Sequence, residues 1–352
     1  MPLPSRRTFL AALAAQAQPS PSDTVDRLLA PWNIPGNPGA AVIVTDQHRV
    51  VHRKGYGLAN RETKAPFLPT TPSLIGSVAK QFVAMPILML HEAGELTYDD
   101  PLSRFFPDAA PHVRAVTLRH LLTHTSGLAQ LEGFPDLAAC LQAKPRFSPG
   151  DRFEYSNGGY ALLAAVAAKI TGAPFQTLLR RRVFEPLQMN DTFFTEEQER
   201  LRAAPRAIGY WKQRGGFKVS ETLEALPLYG GAASIFSTVD DLQKWDQALY
   251  TDRLVSQRTL AAAFEGGRLN DGRPVVYSMG WENMRYKGVR YMIHPGGWAG
   301  FKSFILRFPA QGFSVIALSN HSEFDLAGLP LAIARPYLSN RIEVPGEIFN
   351  TA

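Results

Sequence analysis

A serine and a lysine three positions apart, Ser77 and Lys80, have the residue types and spacing best suited to chemistry in this sequence. A turn-forming segment precedes them and an apolar run from Phe82 to Leu90 follows, so a helix is predicted to begin near Ser77. Residues three apart share one face of a helix, which places the lysine amine one turn behind the hydroxyl. A buried lysine with a lowered pKa can take the serine proton and so create a nucleophile.

The same two residues also have a simpler interpretation. A serine at a helix start is more often a cap, and a lysine is usually a solvated surface charge. The pair alone therefore does not establish a catalytic site, and the hypothesis depends on partner residues further along the chain.

Tyr155 and Asn157 are the first candidate partners, because they precede a predicted helix and carry a phenol and an amide. A phenol can shuttle a proton if nearby cations lower its pKa, and an amide can orient Lys80 or hold a substrate carbonyl. The alternative is structural: Asn157 caps the following helix and Tyr155 packs at its start.

His294, Pro295, Gly296 and Gly297 follow a predicted strand that ends at Ile293. Glycines at a strand edge allow a substrate to approach the backbone closely. One backbone N–H of this segment, together with that of Ser77, could form an oxyanion hole. The alternative is a Pro-Gly turn in which His294 has no role.

Strand patterns occur at both ends of the sequence, with mainly helical patterns between them. This arrangement predicts an α/β (α+β) protein in which an antiparallel sheet, flanked by helices, is built from both termini and carries an inserted mainly helical domain. We assign residues 23–76 and 228–340 to the sheet domain and residues 77–227 to the helical domain. The cleft between them is the expected place for a site. The predicted strands are 39–44, 50–56, 288–293, 301–306 and 313–318.

Composition narrows the choice of function. The 352 residues are 45% hydrophobic and carry a formal net charge of +6, but the longest basic run is Arg180–Arg182. A nucleic-acid partner is therefore not expected. Cys140 is the single cysteine, which excludes a disulfide framework and a cysteine-based metal site.

The first 17 residues have the order of an export signal: paired arginines at Arg6 and Arg7, a short apolar stretch and an Ala-x-Ala cleavage pattern. The arginine pair resembles the twin-arginine type. The apolar stretch is too short to span a bilayer, which needs about 20 residues, and no stable membrane span is expected in the mature chain. The sequence thus predicts an exported protein, periplasmic or secreted, although a disordered basic tail is the alternative.

Taken together, Ser-x-x-Lys, Tyr-x-Asn and a late His-x-Gly resemble the motifs of serine beta-lactamase-like hydrolases. That family includes class C beta-lactamases, DD-carboxypeptidases, D-aminopeptidases and related esterases. The resemblance covers roughly residues 30 to 335, and its further motifs are His120–Leu128, Pro149–Tyr160 and Gly230–Ser234. Ser126 belongs to a turn within the first of these, and we do not assign it as the nucleophile.

The resemblance implies a mechanism without metal or cofactor. Ser77 attacks an ester or amide carbonyl, and Lys80 and Tyr155 remove its proton and later protonate the leaving group. Asn157 orients Lys80 and the substrate. The backbone N–H groups of Ser77 and Gly297 hold the oxyanion, and water then releases the acyl group.

One departure from the family pattern bears on the substrate. Penicillin-active relatives usually have Lys-Thr-Gly where this chain has His294, Pro295 and Gly296. Histidine is mostly neutral near neutral pH, so a substrate carboxylate would be held less strongly at this motif. The first hypothesis is therefore an exported serine hydrolase acting on a small-molecule ester, amide or peptide. The alternatives are a beta-lactamase or peptidoglycan DD-peptidase or D-aminopeptidase, and a non-catalytic lactam or cell-wall sensor.

Overall fold

A computed structural model describes residues 19–128, 136–203, 205–220, 234–339 and 341–342 of the chain. The predicted export signal at residues 1–17 and the segment Gly230–Ala233 lie outside these residues, and both interpretations remain predictions.

The described chain has most of its strands towards its two ends and a largely helical part between them, and labels here follow chain order. The helices are α1 Pro21–Leu29, α2 Lys80–Glu92, α3 Pro111–Arg114, α4 Leu118–Leu122, α5 Leu137–Gln142, α6 Asn157–Thr171, α7 Phe175–Leu179, α8 Gln198–Ala203, α9 Val239–Ala248, α10 Gln257–Phe264 and α11 Leu329–Leu338. The strands are β1 Ala40–Asp46, β2 Arg49–Tyr56, β3 Leu58–Asn60, β4 Ala65–Pro66, β5 Ser73–Leu74, β6 Phe193–Phe194, β7 Tyr210–Gln213, β8 Gly216–Val219, β9 Ile235–Ser237, β10 Tyr277–Ser278, β11 Trp281–Tyr286, β12 Val289–Trp298, β13 Phe301–Phe308 and β14 Phe313–Ser319.

Seven strands form one antiparallel sheet in the order β10-β11-β12-β13-β14-β1-β2. The first long strand pairs with the last, with Ile43 opposite Ile316. Both ends of the chain thus build one sheet, as the sequence predicted. The described chain has the predicted mixed α and β architecture, a large antiparallel sheet flanked by helices.

Both faces of the sheet are buried, because successive side chains of a strand point to opposite faces. Along β1, Ala41 and Ile43 pack into a core shared with α2, α6 and α9, whereas Val42 and Val44 pack against α1 and α11 on the other face. This two-sided burial explains why β1 and β14 are nearly continuous apolar runs rather than alternating patterns. The core shared with α2 is the one that borders the candidate site.

Several elements differ from the sequence interpretation. Strand β12 does not end at Ile293 but continues to Trp298, so His294–Gly297 form part of a strand and the Pro-Gly turn alternative is wrong. The sequence interpretation also missed β11 and the short pairings β5-β9-β6 and β7-β8. Strands of two to four residues leave little periodicity to detect, and their pairing partners are distant in sequence.

A buried ion pair fixes α9 against the sheet. The Asp246 carboxylate accepts hydrogen bonds from Arg307 of β13 at 2.9 Å and from the Ser314 hydroxyl of β14 at 2.9 Å. Both charged side chains are at most 1% exposed. The preceding residue, Trp245, donates from Nε1 to Gln81 Oε1 of α2 at 2.8 Å. Helix α9 therefore connects the sheet directly to the helix that carries Lys80.

No single helix in the described residues is long and apolar enough to cross a bilayer. Helix α6 and the segment Phe175–Phe184 together have the length and composition of a span, but they are bent by 78° where they meet.

Removing one member of the buried pair is expected to destabilise the fold strongly. Asp246→Ala leaves the Arg307 guanidinium buried without its partner, and the free energy of unfolding should fall by about 3–5 kcal/mol. Asp240→Ala on the same helix is the matched control, because its partner Arg53 is 45% exposed, and the loss should be at most about 1 kcal/mol. Chemical denaturation measures both; similar losses would contradict the assignment.

Candidate active site

The predicted helix start at Ser77 is a single 3-10 turn, Gly76–Ala79, that leads directly into α2. The 3-10 turn and α2 have no side-chain cap at their starts, so the interpretation of Ser77 as a helix cap is wrong. Gly76 has a φ of +52°, and a Cβ there would stand 2.8 Å from the backbone nitrogen of Gly297. A glycine is needed here because the turn and β12 approach each other closely.

Lys80 is completely buried, so the interpretation as a solvated charge is also wrong. Its Nζ lies 3.4 Å from the Ser77 hydroxyl oxygen and donates to Asn157 Oδ1 at 2.7 Å. Burial lowers the pKa of Lys80 to about 7, because an ammonium loses its hydration inside the protein. The amine is therefore largely neutral just above pH 7 and can accept the Ser77 proton.

Tyr155 lies on the other side of this amine. Lys80 Nζ is 4.8 Å from the centre of the Tyr155 ring. The hydroxyl oxygen is buried and makes no hydrogen bond of normal geometry to a described residue. Burial raises the pKa of Tyr155 well above its usual value, and the nearby Ser77 hydroxyl only partly offsets this. The expected lowering of this pKa by nearby cations is therefore wrong, and Tyr155 is a neutral phenol placed beside both Ser77 and Lys80.

Asn157 is the first residue of α6, but it does not cap that helix. The cap is Ser156, whose hydroxyl accepts from the backbone N–H of Gly159 at 3.2 Å. This frees the Asn157 amide to accept from Lys80, so the structural alternative for Asn157 is wrong. The Ser156 cap fixes the start of α6 and therefore the position of Asn157. Among the described residues, Asn157 Oδ1 is the side-chain oxygen that lies at short hydrogen-bond distance from Lys80.

Strand β12 supplies the other wall of the site through its glycines. A Cβ on Gly296 would stand 2.3 Å from the carbonyl oxygen of Ile75, 2.4 Å from Ser303 Oγ and 3.1 Å from the backbone nitrogen of Ser77. The strand can approach the Ser77 turn this closely only because it has no side chain at this position. The backbone of Gly296 and Gly297 is thereby placed beside Ser77.

His294 is buried and faces away from solvent. Its Nδ1 donates to the carbonyl of Pro295 at 2.7 Å, so Nε2 accepts from the Tyr277 hydroxyl at 2.8 Å. Burial, with Lys80 adding a smaller effect, lowers the pKa of His294 to about 3. His294 is a neutral side chain that supports the strand, and its predicted contact with substrate remains a prediction.

His124 is a neighbour of the site to which the sequence interpretation gave no role beyond a structural turn. Its φ is +55°, and its Nδ1 accepts from the backbone N–H of Ser156 at 3.1 Å. The ring packs 4.3 Å from that of Tyr155, centre to centre. The turn His124–Gly127 thus supports Tyr155 from behind. Ser126 belongs to this turn and is buried. Its hydroxyl accepts a hydrogen bond from the backbone N–H of Leu128, so its role is structural.

Comparison with known proteins assigns the chain to a family. The sequence model of the family described as Beta-lactamase matches residues 24–335. The chain belongs to the beta-lactamase family, whose members are serine hydrolases. Penicillin-binding protein 4* of Bacillus subtilis strain 168 is 30% identical over 313 residues, covering 80% of this chain and 68% of that protein. The chain spans between 60% and 68% of the length of three curated relatives.

Solved structures share the fold. The octameric penicillin-binding protein homologue from Pyrococcus abyssi superposes with a TM-score of 0.78 at 24% identity, covering 91% of this chain and 77% of that one. The D-amino acid amidase of Ochrobactrum anthropi SV3 gives a TM-score of 0.73 at 24% identity, covering 90% of this chain and 95% of that one. At these identities the likeness concerns the fold alone.

The lowered pKa of Lys80 predicts the pH dependence of any hydrolysis at this site. Only the neutral amine accepts the Ser77 proton, so kcat/KM should rise with pH, level off above about pH 8 and fall about tenfold per unit below about pH 7. A pH profile with an uncharged nitrophenyl ester measures this. Burial lowers the pKa of both His124 and His294, so neither produces a limb near pH 7. A limb above about pH 9 would contradict the assignment of Lys80 as the base.

The two glycines of β12 should respond differently to one added methyl group. Gly296→Ala forces a Cβ into the backbone at Ile75, displaces the strand from Ser77 and should lower kcat/KM by about 100-fold. Gly297→Ala meets nothing closer than the flexible Lys302 side chain at 3.3 Å, and it should retain activity within about fivefold. Ester kinetics and circular dichroism on both variants decide this; equal losses would contradict the predicted difference.

Proposed function

We propose that this protein cleaves an ester or a small amide through an acyl-enzyme formed on Ser77. The observation that carries the proposal is the buried Lys80 amine, whose pKa is about 7, 3.4 Å from the Ser77 hydroxyl. A lysine at the protein surface would be protonated near pH 7 and could not act as the base.

Acylation begins when neutral Lys80 takes the proton of the Ser77 hydroxyl while its oxygen attacks the substrate carbonyl carbon. The carbonyl oxygen gains the negative charge and accepts hydrogen bonds from the backbone N–H groups of Ser77 and Gly297. Such donors act at the place where charge develops, and one of them is typically worth about 10²–10³ in rate. Asn157 holds the lysine amine in position throughout, through its 2.7 Å hydrogen bond.

The tetrahedral intermediate collapses when the leaving group departs with a proton. The Lys80 ammonium is the source of that proton, and the Tyr155 hydroxyl, held beside Ser77 and Lys80, relays it. Because the pKa of Tyr155 is raised by burial, it acts as a phenol that passes a proton on rather than as a standing phenolate. Water then attacks the acyl carbonyl with the same pair as base, and Ser77 is regenerated.

The names of two similar proteins indicate which compounds those proteins bind or act on. One is a penicillin-binding protein and another is a D-amino acid amidase, so acyl compounds of amide or lactam type are natural candidates. Buried, neutral His294 and Pro295 offer no cation at the third motif, which favours an ester or amide over efficient lactam hydrolysis. A lactam-hydrolysing enzyme and a sensor that is acylated once remain as outcomes of the test below.

The serine assignment is tested with a short-chain nitrophenyl ester. Ser77→Ala should lower kcat by about 10⁴-fold or more, because the nucleophile is lost while the fold is kept. Ser126→Ala removes a buried hydroxyl from the neighbouring turn and should retain turnover within about tenfold, since that serine has no part in the proposed chemistry. A fluorophosphonate probe should label the parent protein and Ser126→Ala but not Ser77→Ala.

The same preparations separate the alternatives. Cephalosporin turnover faster than ester turnover would favour a beta-lactamase, and probe labelling without any turnover would favour a sensor. Unchanged ester hydrolysis by Ser77→Ala would refute the proposal.

A further inference from the structure

Lys302 lies at the edge of the site and has no part in the chemistry described so far. It stands on β13 directly opposite Gly297 of β12 in the strand register. Its Cδ and Nζ are each 3.3 Å from the point that a Cβ on Gly297 would occupy. Because glycine has no side chain, the half-buried lysine can fold over Gly297 and bring its ammonium to the strand that offers the oxyanion donor.

Among the described residues, no second strand pairs with the edge of β12 along the part that borders Ser77. β11 pairs with β12 only as far as Ile293, and from His294 to Trp298 the described strand that pairs with β12 is β13. The free edge of a strand can hydrogen-bond an extended substrate. Side chains alternate along a strand, so Gly296 faces Ser77 while Gly297 and the lysine above it lie on the opposite face. A substrate on this edge would lie between Ser77 and Lys302.

The charge of Lys302 is not neutralised by a neighbour in the described chain. None of the ion pairs found between described residues includes it, whereas other lysines near the sheet and helices, such as Lys54 and Lys244, pair with aspartates. The nearby His294 carries no charge, because it is buried and burial lowers its pKa. An unpaired, half-buried ammonium attracts an anionic group.

We propose that Lys302 binds a carboxylate carried by the substrate and makes the protein prefer negatively charged esters or amides over neutral ones. The inference rests on the proposed function, because it places the scissile carbonyl beside Ser77 and Gly297. Lys302 is a specificity-determining residue in this account and takes no part in proton transfer.

Matched pairs of esters test this preference. 3-Carboxyphenyl acetate and its carboxamide twin differ only by a charge on the leaving group, and 4-nitrophenyl hydrogen succinate and its succinamate twin differ only by a charge on the acyl group. In at least one pair, Lys302→Gln should reduce the preference for the carboxylate about tenfold in kcat/KM. Hydrolysis of the neutral twin should stay within about twofold, and Lys302→Arg should keep most of the preference.

Lys287→Gln is the matched control. It removes the same charge from the turn before β12, and the eight residue-to-residue steps from Val289 to Gly297 place it at least about 25 Å along the strand from Gly297. It should leave the preference unchanged. If Lys302→Gln lowers turnover of charged and neutral esters alike, or changes neither pair, the inference is wrong.

Binding measurements keep the test independent of turnover. In the Ser77→Ala background, adding Lys302→Gln should weaken the binding of the preferred carboxylate ester about tenfold relative to its neutral twin, measured by calorimetry. This result would support the role of Lys302 even if the parent protein failed to hydrolyse any ester, which is the failure of the proposed function. Equal binding of the twins by Ser77→Ala would overturn the role of Lys302 even if hydrolysis depends on Ser77.

Discussion

The burial of Lys80 is the constraint around which the candidate site is arranged. A fully buried amine loses its hydration, and in the described chain it gains no carboxylate in return, only the Asn157 and Ser77 oxygens. An ammonium in such a place is unfavourable, so the pKa falls to about 7 and the amine becomes a base near neutral pH. The rings of Tyr155 and Tyr160, whose centres lie 4.8 Å and 5.8 Å from the amine, therefore contribute to the chemistry as well as to the core.

The wall of the site formed by β12 depends on the close approach of two backbone segments rather than on charge. Gly76 and Gly296 let the Ser77 turn and β12 meet backbone to backbone, and Ser303 closes the contact by donating to the carbonyl of Ile75 at 2.7 Å. The buried pair of Asp246 and Arg307 holds the sheet and α9 together at a distance from this contact. Rigid elements on both sides are what a preorganised oxyanion site requires.

The two lysines at the site, Lys80 and Lys302, differ in how deeply they are buried. Lys80 is enclosed and loses its proton easily, which suits proton transfer, whereas Lys302 is half-buried over Gly297 and suits recognition. His294 is neutral because burial, with a smaller effect of Lys80, lowers its pKa. The chemistry proposed for Ser77 and the preference proposed for anionic substrates thus follow from different degrees of burial.

The sequence by itself determined the main strands, the sheet built from both termini and the serine–lysine pair, because apolar patterns and short spacings are local properties. It did not determine that Ser156 rather than Asn157 caps α6, or that His294 continues a strand; a hydroxyl and an amide cap equally well, and Pro-Gly favours turns as a local signal. Only the tertiary structure decided which lysine is buried and which side chain folds over Gly297. Burial and register depend on contacts that are distant in the chain, such as Lys80 with Asn157, 77 positions away, and Ile43 with Ile316 in the sheet, and no local pattern records them.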